Sequence, residues 1–190
     1  MYKKIDFDID IKKLQEESEK LFSQGLTHPR VPTQIGLTYE DEYCPNKFID
    51  AVGSLDYDYM SDLGDPTVTG QMPPRRERKV TEKDFNKIVP ELVGTYLGDL
   101  LAQLIEQFDI GRTRLMLLKP KTCLTWHKDS TYRMHIPIIT NEGCIMVWDN
   151  YTVHMPEGSL YWVNTTFPHT AFNGTFKDRI HLVSTIETKV

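Results

Sequence analysis

One stretch in the last third of the chain decides the fold. It reads Phe167-Pro168-His169-Thr170-Ala171-Phe172-Asn173-Gly174-Thr175-Phe176-Lys177-Asp178-Arg179-Ile180-His181-Leu182-Val183. Asn-Gly lies here between two runs of apolar, β-branched and aromatic residues, which predicts a β-hairpin because glycine adopts a positive φ without steric cost. A turn centred on Gly174 would make His169 and Arg179 cross-strand partners on one face of a sheet.

More short strands are predicted on the N-terminal side of this stretch. They cover 113–118, 133–140, 144–148, 152–155 and 159–164, followed by 169–172 and 179–186 within the stretch itself. Turn signals such as Asn141-Glu142-Gly143 and Pro156-Glu157-Gly158 separate them. Many short strands at regular spacing favour a β-sandwich or a small barrel.

The first half of the chain has a different pattern. Residues 2–9 alternate as a strand does, 33–38 are extended, and a helix runs from Ile11 until Gly25 ends it. A capping box at 81–84 opens further helical sequence, whose apolar residues recur at helical spacing from Leu92 to Phe108. The polar segment 57–79, rich in Asp, Gly and Pro, is predicted to be a loop.

Length and composition limit the class of protein. With 190 residues, 39% of them hydrophobic, we expect a single domain, in which 1–112 support a β core at 113–187. No apolar run reaches membrane-spanning length, no signal peptide is evident, and the three cysteines lack CxxC spacing, so a cytoplasmic protein is expected. The net charge of -5 disfavours nucleic-acid binding. The basic run 75–79 is interpreted as a solvated loop, with contact to an acidic substrate as the alternative.

Three side chains have the composition of a mononuclear iron site. In an extended segment, His127 and Asp129 would point to the same face with Cα atoms roughly 6.6 Å apart. With His169 they make two imidazoles and one carboxylate, the set that holds Fe(II) while leaving positions open for a co-substrate and O2. His154 is an alternative to His169, but no arginine follows it at the corresponding offset.

Arg179 adds an anion-binding group to this set. A guanidinium binds a carboxylate through two parallel hydrogen bonds, so an anionic co-substrate could chelate the metal at one end and contact Arg179 at the other. A buried arginine needs an anionic partner, and strand parity turns the neighbouring Asp178 to the opposite face. The hairpin and the charge together predict a metal site with a co-substrate pocket beside it.

These residues also carry a resemblance to a known family. Pro168-His169 followed by Asp178-Arg179-Ile180-His181-Leu182-Val183 resembles the C-terminal signature of the aspartyl/asparaginyl β-hydroxylase-like branch of the Fe(II)/2-oxoglutarate dioxygenases. Arg133-Met134-His135 is similar to the family's second co-substrate motif. Asp129 stands where the type enzyme has glycine, and Met116 where a co-substrate-binding serine is expected.

The resemblance implies a mainly β fold with flanking helices, in which a double-stranded β-helix (jelly-roll, cupin-like) is backed by the N-terminal helices. It implies Fe(II) held by His127, Asp129 and His169, and 2-oxoglutarate held by Arg179 with Arg133 and His135. The implied activity is hydroxylation of an unactivated C–H bond, with O2 consumed and succinate and CO2 released. The substrate is left open between a free amino acid and a residue of a peptide or protein. The alternative is a non-redox cupin-like module that binds a metal or a small acid.

Overall fold

The computed structural model describes residues 1–29, 31–41, 44, 46–53 and 80–190. Its helices are α1 (Ile11–Ser23), α2 (Lys47–Asp50) and α3 (Tyr96–Phe108), with 3-10 turns at Glu82–Asp84 and Pro90–Leu92. Its strands are β1 (Tyr2–Ile5), β2 (Gln34–Gly36), β3 (Thr38–Tyr39), β4 (Lys87–Ile88), β5 (Thr113–Leu118), β6 (Thr122–Cys123), β7 (Tyr132–Ile139), β8 (Cys144–Trp148), β9 (Tyr151–Val153), β10 (Leu160–Val163), β11 (His169–Asn173) and β12 (Arg179–Ile186).

Two antiparallel sheets make up the β core. The larger has the strand order β1-β10-β7-β12-β5-β2 and the smaller the order β6-β11-β8-β9. Buried side chains from both sheets, including Leu118, Met146, Tyr161 and Ala171, form one apolar cluster between them. This arrangement confirms the predicted mainly β, jelly-roll fold with flanking helices.

Strand β12 shows how the larger sheet separates two environments. Ile180 and Leu182 belong to the apolar cluster that also contains Leu14 of α1 and Leu101 of α3. The alternate residues, beginning with Arg179, face the smaller sheet because successive strand side chains point to opposite faces. The prediction that the two helices cover the outward face of this sheet is therefore confirmed.

The helical part of the first half matches the sequence pattern only in part. Helix α1 begins after Asp10, whose side chain accepts a hydrogen bond from the Lys13 backbone, and ends before Gly25 at φ 69°. The capping box of Thr81 and Asp84 does form, but it opens a single 3-10 turn instead of a long helix. Helix α3 begins only after Thr95, because Gly94 has a left-handed backbone conformation, with φ 82°, that interrupts the helix predicted from Leu92.

The predicted hairpin between His169 and Arg179 is wrong. Strand β11 pairs with β6 and β8, whereas β12 pairs with β5 and β7, so the two strands lie in different sheets. The buried Asn173 amide donates to the carbonyl oxygens of Leu118 and Lys177, each at 2.9 Å. This amide stabilises a connection that crosses from one sheet to the other. The Asn-Gly pattern alone does not distinguish such a connection from a tight turn.

Other elements of the first half differ from expectation in extent. The strand predicted over 2–9 is confined to Tyr2–Ile5, and both β1 and β2 join the larger sheet, which is therefore not restricted to 113–187. The segment 57–79, with its basic run at 75–79, lies outside the described residues. Among the helices that the structure describes, none combines the length and apolar character needed to cross a membrane.

Candidate metal and co-substrate site

A cavity of about 810 Å³ opens between the two sheets. Its wall includes residues from both: β5, β7 and β12 of the larger sheet and β8 and β11 of the smaller. The 3-10 turn at Glu82–Asp84 and the loop from Leu124 to Thr131 complete the wall. A volume of this size holds a small organic acid together with a second small molecule.

The structure brings His127, Asp129 and His169 together at this cavity. One ligand atom from each lies within 4.8 Å of the others, and each imidazole Nε2 is 3.9 Å from an oxygen of the Asp129 carboxylate. His127 and His169 also form an isolated antiparallel bridge, with backbone hydrogen bonds of 3.0 and 2.7 Å. The bridge links the loop that carries His127 and Asp129 directly to β11.

Both imidazoles are oriented by main-chain oxygens. Nδ1 of His127 lies 2.7 Å from the Thr125 carbonyl oxygen, and Nδ1 of His169 lies 2.9 Å from that of Phe167. Because a carbonyl only accepts, each Nδ1 carries a proton, and Nε2, which lies on the Asp129 side, is the ring nitrogen left to bind a metal. Burial also lowers the pKa of His169, which favours its neutral form. Two imidazoles and a carboxylate converging in this way form a suitable ligand set for Fe(II) or a similar divalent ion.

A cationic cluster that has no acid among the described residues borders the cavity through Arg179 and His135. Arg179 is 5% exposed, its Nη2 lies 3.0 Å from Nδ1 of His181, and no carboxylate among the described residues pairs with it. Nδ1 of His135 lies 3.4 Å from the same His181 atom, and the buried Nε2 atoms of both histidines have no hydrogen-bond partner within the part of the chain that the structure describes. We call Arg179, His135 and His181 the inner cluster.

Burial lowers the pKa of both kinds of base in the inner cluster but leaves them in different charge states at neutral pH. It lowers the pKa of Arg179 to about 10, so the guanidinium remains a cation at neutral pH. Burial, with the Arg179 charge nearby, holds the pKa of both His135 and His181 well below the ordinary value. The inner cluster is thus one cation beside two neutral imidazoles, with unused hydrogen-bonding capacity.

Nearer the loop, a second cluster combines Arg133 with two acids. Nη1 of Arg133 lies 3.1 Å from Oε2 of Glu82, and Nη2 donates to Oε1 of Glu82 at 3.3 Å. The same Nη2 lies 3.2 Å from Oδ1 of Asp129, and Nη1 also bonds the Thr131 hydroxyl. We call Glu82, Arg133 and Asp129 the outer cluster. Arg133 lies on the same strand face as His135, but its guanidinium contacts carboxylates and not the inner cluster.

The Glu82 carboxyl is kept ionised by its neighbours. Burial acts to raise the pKa of Glu82, but the guanidiniums of Arg133, Arg114 and Arg112 outweigh it and hold that pKa below the ordinary value. Arg114 is itself buried on β5 and lines the cavity, with Nη1 donating to Gly53 O and Gln34 Oε1 at 3.0 and 3.2 Å. Its Nε has no partner.

Sequence reasoning undervalued three residues of this region. His181 is not among the predicted site residues, although it shares strand parity with Arg179. Arg114 has the parity of Met116, which also lines the cavity, so alternation along β5 could have identified it. Nothing local marks Glu82, because its partners are 49 and 51 residues away. His154, the alternative ligand, lies outside the His127 cluster, and its Nδ1 is 3.0 Å from the Cys144 carbonyl oxygen.

Residues 81–189 match the family model described as aspartyl/asparaginyl beta-hydroxylase. The chain belongs to this family. It is 26% identical over 98 residues to the L-proline cis-4-hydroxylase of Rhizobium meliloti (strain 1021), a match that covers 48% of this chain and 35% of that protein. The chain thus spans about a third of the length of this curated relative.

Two solved structures resemble the β core. An oxidoreductase of the 2OG-Fe(II) oxygenase family from Burkholderia pseudomallei is 10% identical with a TM-score of 0.40, over 50% of this chain and 58% of that one. A cupin domain from Bordetella pertussis Tohama I is 16% identical with a TM-score of 0.36, over 40% of this chain and 81% of that one.

Proposed function

We propose that this protein is an Fe(II)- and 2-oxoglutarate-dependent dioxygenase that hydroxylates an amino acid, either free or within a peptide. The observation that carries the proposal is Arg179, a buried cation with no acid beside it in the described structure, in the same cavity as the His127, Asp129 and His169 cluster. A metal site alone gives no reason to bury such a cation. A dicarboxylate that chelates a metal at one end requires both features.

The residues of the cavity fit both Fe(II) and 2-oxoglutarate. Two imidazole Nε2 atoms and a carboxylate are the donors of an open Fe(II) site. Arg179, which has no acid beside it among the described residues, provides donors for the far carboxylate of 2-oxoglutarate. Iron(II), when bound, would activate O2 as the oxidant, and 2-oxoglutarate would supply two of the four electrons that O2 takes up; one oxygen atom would enter the C–H bond and the other succinate, with loss of CO2.

The chain's own residues bind and orient in this reaction. The carbonyl oxygens of Thr125 and Phe167 fix the two imidazoles, and Arg179 sets the position of the co-substrate. Arg114 offers a second buried guanidinium, suited to a carboxylate of the amino-acid substrate. The relative that hydroxylates L-proline supports an amino acid as the substrate.

The test is an anaerobic titration of the purified apo-protein with Fe(II) and 2-oxoglutarate, followed by O2. A weak visible charge-transfer band that needs both ligands, and then succinate, would support the dioxygenase. Metal binding without the band would favour the non-redox cupin-like module.

Two variants separate the metal site from the co-substrate site. We expect Arg179→Ala to retain metal and lose turnover, because the metal donors are unchanged while the charged anchor of the co-substrate is removed. Asp129→Ala should lose both. Asp149→Ala, at an exposed carboxylate outside the cavity, is the matched control. Succinate formation at the wild-type rate in either of the first two variants would refute the assignment.

A further inference from the structure

Glu82 is a half-buried acid that forms part of the cavity wall, and its carboxylate contacts Arg133 there. Its 3-10 turn is fixed to the sheet, since the Arg112 backbone N–H donates to the Glu82 carbonyl oxygen at 2.8 Å. A Cβ at Gly111 would collide with that same carbonyl oxygen, so the turn lies tight against the start of β5. The position of the carboxylate is therefore set by the backbone and does not depend on a mobile side chain alone.

Three side chains on this wall offer oxygen atoms to the Arg133 guanidinium. Its two terminal nitrogens contact both oxygens of Glu82, the Thr131 hydroxyl and one oxygen of Asp129. Thr131 in turn donates its hydroxyl proton to Glu82 at 3.2 Å. This contact pattern differs from the co-substrate role that the resemblance implies for Arg133. The side chain is already saturated with carboxylate and hydroxyl oxygens, whereas Arg179 is not.

Asp129 has particular need of such a partner. It lies in the loop between β6 and β7, and the one backbone hydrogen bond of its N–H is to the Thr165 carbonyl oxygen at 2.8 Å. A ligand on a loop must be oriented by contacts outside the metal's own shell. Arg133 alone would orient the carboxylate but would also neutralise it. With Glu82 present as well, the Arg133 cation is shared between two carboxylates, so Asp129 is not paired with a full cation of its own and can still attract a divalent cation.

We infer that Glu82 and Arg133 are positioning residues for Asp129: Arg133 orients the metal-binding carboxylate, and Glu82 holds Arg133 in place and shares its charge. The inference rests on the proposed function, because it assumes that Asp129 binds the metal. It assigns Arg133 to the metal side of the cavity and leaves the far carboxylate of the co-substrate to the inner cluster. Neither residue is expected to touch the reacting atoms.

Two variants test this arrangement by metal binding alone. Glu82→Gln keeps the shape of the side chain and removes its charge, while Arg133→Lys keeps the cation but cannot bridge two carboxylates. Calorimetric titration of each apo-protein with Co(II), without 2-oxoglutarate or O2, should show affinity reduced roughly 10- to 100-fold, the usual effect of losing an outer-shell partner of a ligand. The visible Co(II) spectrum should change as well, because the carboxylate is reoriented.

Glu187→Gln is the matched control. It removes the same charge from a carboxylate that lines the same cavity but is 57% exposed and lies 3.9 Å from Lys83. We expect its Co(II) affinity and spectrum to equal those of the wild type. If Glu82→Gln does not fold, as judged by circular dichroism, Arg133→Lys decides the question because it conserves every charge in the outer cluster.

A second titration, of 2-oxoglutarate into Co(II)-saturated protein, completes the test. Both variants should bind 2-oxoglutarate as the wild type does once metal is saturating. Weakened 2-oxoglutarate binding with unchanged Co(II) affinity would place Arg133 with the co-substrate and overturn the inference, while the proposed function would stand. A wild-type protein that binds no Co(II) would overturn the proposed function and the inference with it.

Discussion

The inner and outer clusters of the cavity each bury an arginine, but in opposite surroundings. Arg133 of the outer cluster contacts two carboxylates, whereas Arg179 of the inner cluster has imidazoles and the Cys144 thiol near it but no carboxylate in the described structure. A paired buried cation is part of the protein's own structure. An unpaired one is the better marker of an anionic ligand that comes from outside, since its desolvation is otherwise uncompensated.

The difference should be largest in the stability of the apo-protein. Replacing Arg133 by Met leaves the half-buried Glu82 without its main partner. Removing one partner of a fully buried ion pair costs roughly 3–5 kcal/mol, so we expect a smaller destabilisation here, where Arg112 still lies 3.9 Å from Glu82. Replacing Arg179 by Met removes a buried cation that has no acid, so the free energy of unfolding should be unchanged or slightly higher. Urea denaturation of the metal-free proteins measures both. Equal destabilisation by the two substitutions would show that the clusters do not differ as described.

An acid placed in the inner cluster should make it resemble the outer one. Met116 lines the cavity opposite His181 in the strand register and lies diagonal to Arg179, within reach of a longer side chain. In Met116→Glu the new carboxylate would pair with the Arg179 guanidinium and compete there with the far carboxylate of 2-oxoglutarate. One lost charge-assisted hydrogen bond, at about 1.5–3 kcal/mol, corresponds to roughly 10-fold or more in affinity.

Met116→Gln is the control for this substitution, because it has the same size and no charge. Its 2-oxoglutarate affinity should stay closer to that of the wild type, and Co(II) affinity should be unchanged in both variants. If the two substitutions weaken 2-oxoglutarate equally, volume and not charge governs the inner cluster.

The sequence predicted the inner cluster better than the outer one, for a physical reason. Alternation along β12 fixes which side of the sheet Arg179 faces, whatever the partner strand is. The predicted inward direction of Arg179 is therefore correct even though the predicted hairpin is wrong. The partner of β11 could not be predicted, because the connection from Asn173 to Arg179 is stabilised by contacts with Leu118, which is 55 residues away. Glu82 was missed for the same reason, since its role exists only after the first half packs against the β core.

The two clusters should also lose their contribution to stability in different pH ranges. The inner histidines are neutral when folded and have a lowered pKa, so the unfolded chain takes up their protons first as the pH falls below about 6.5, and stability falls with it. Each can contribute at most about 1.4 kcal/mol per pH unit. Glu82 also has a lowered pKa, so its contribution to stability is complete above about pH 4.5 and is lost only at lower pH.

Urea denaturation at a series of pH values measures both contributions. A plot of the free energy of unfolding against pH should have a shallower slope for His181→Gln between about pH 6.5 and 5, and a shallower slope for Glu82→Gln only below that range. A His181→Gln protein with the wild-type slope would mean that the protons bind elsewhere and that the inner cluster is not the acid-sensitive part of the cavity.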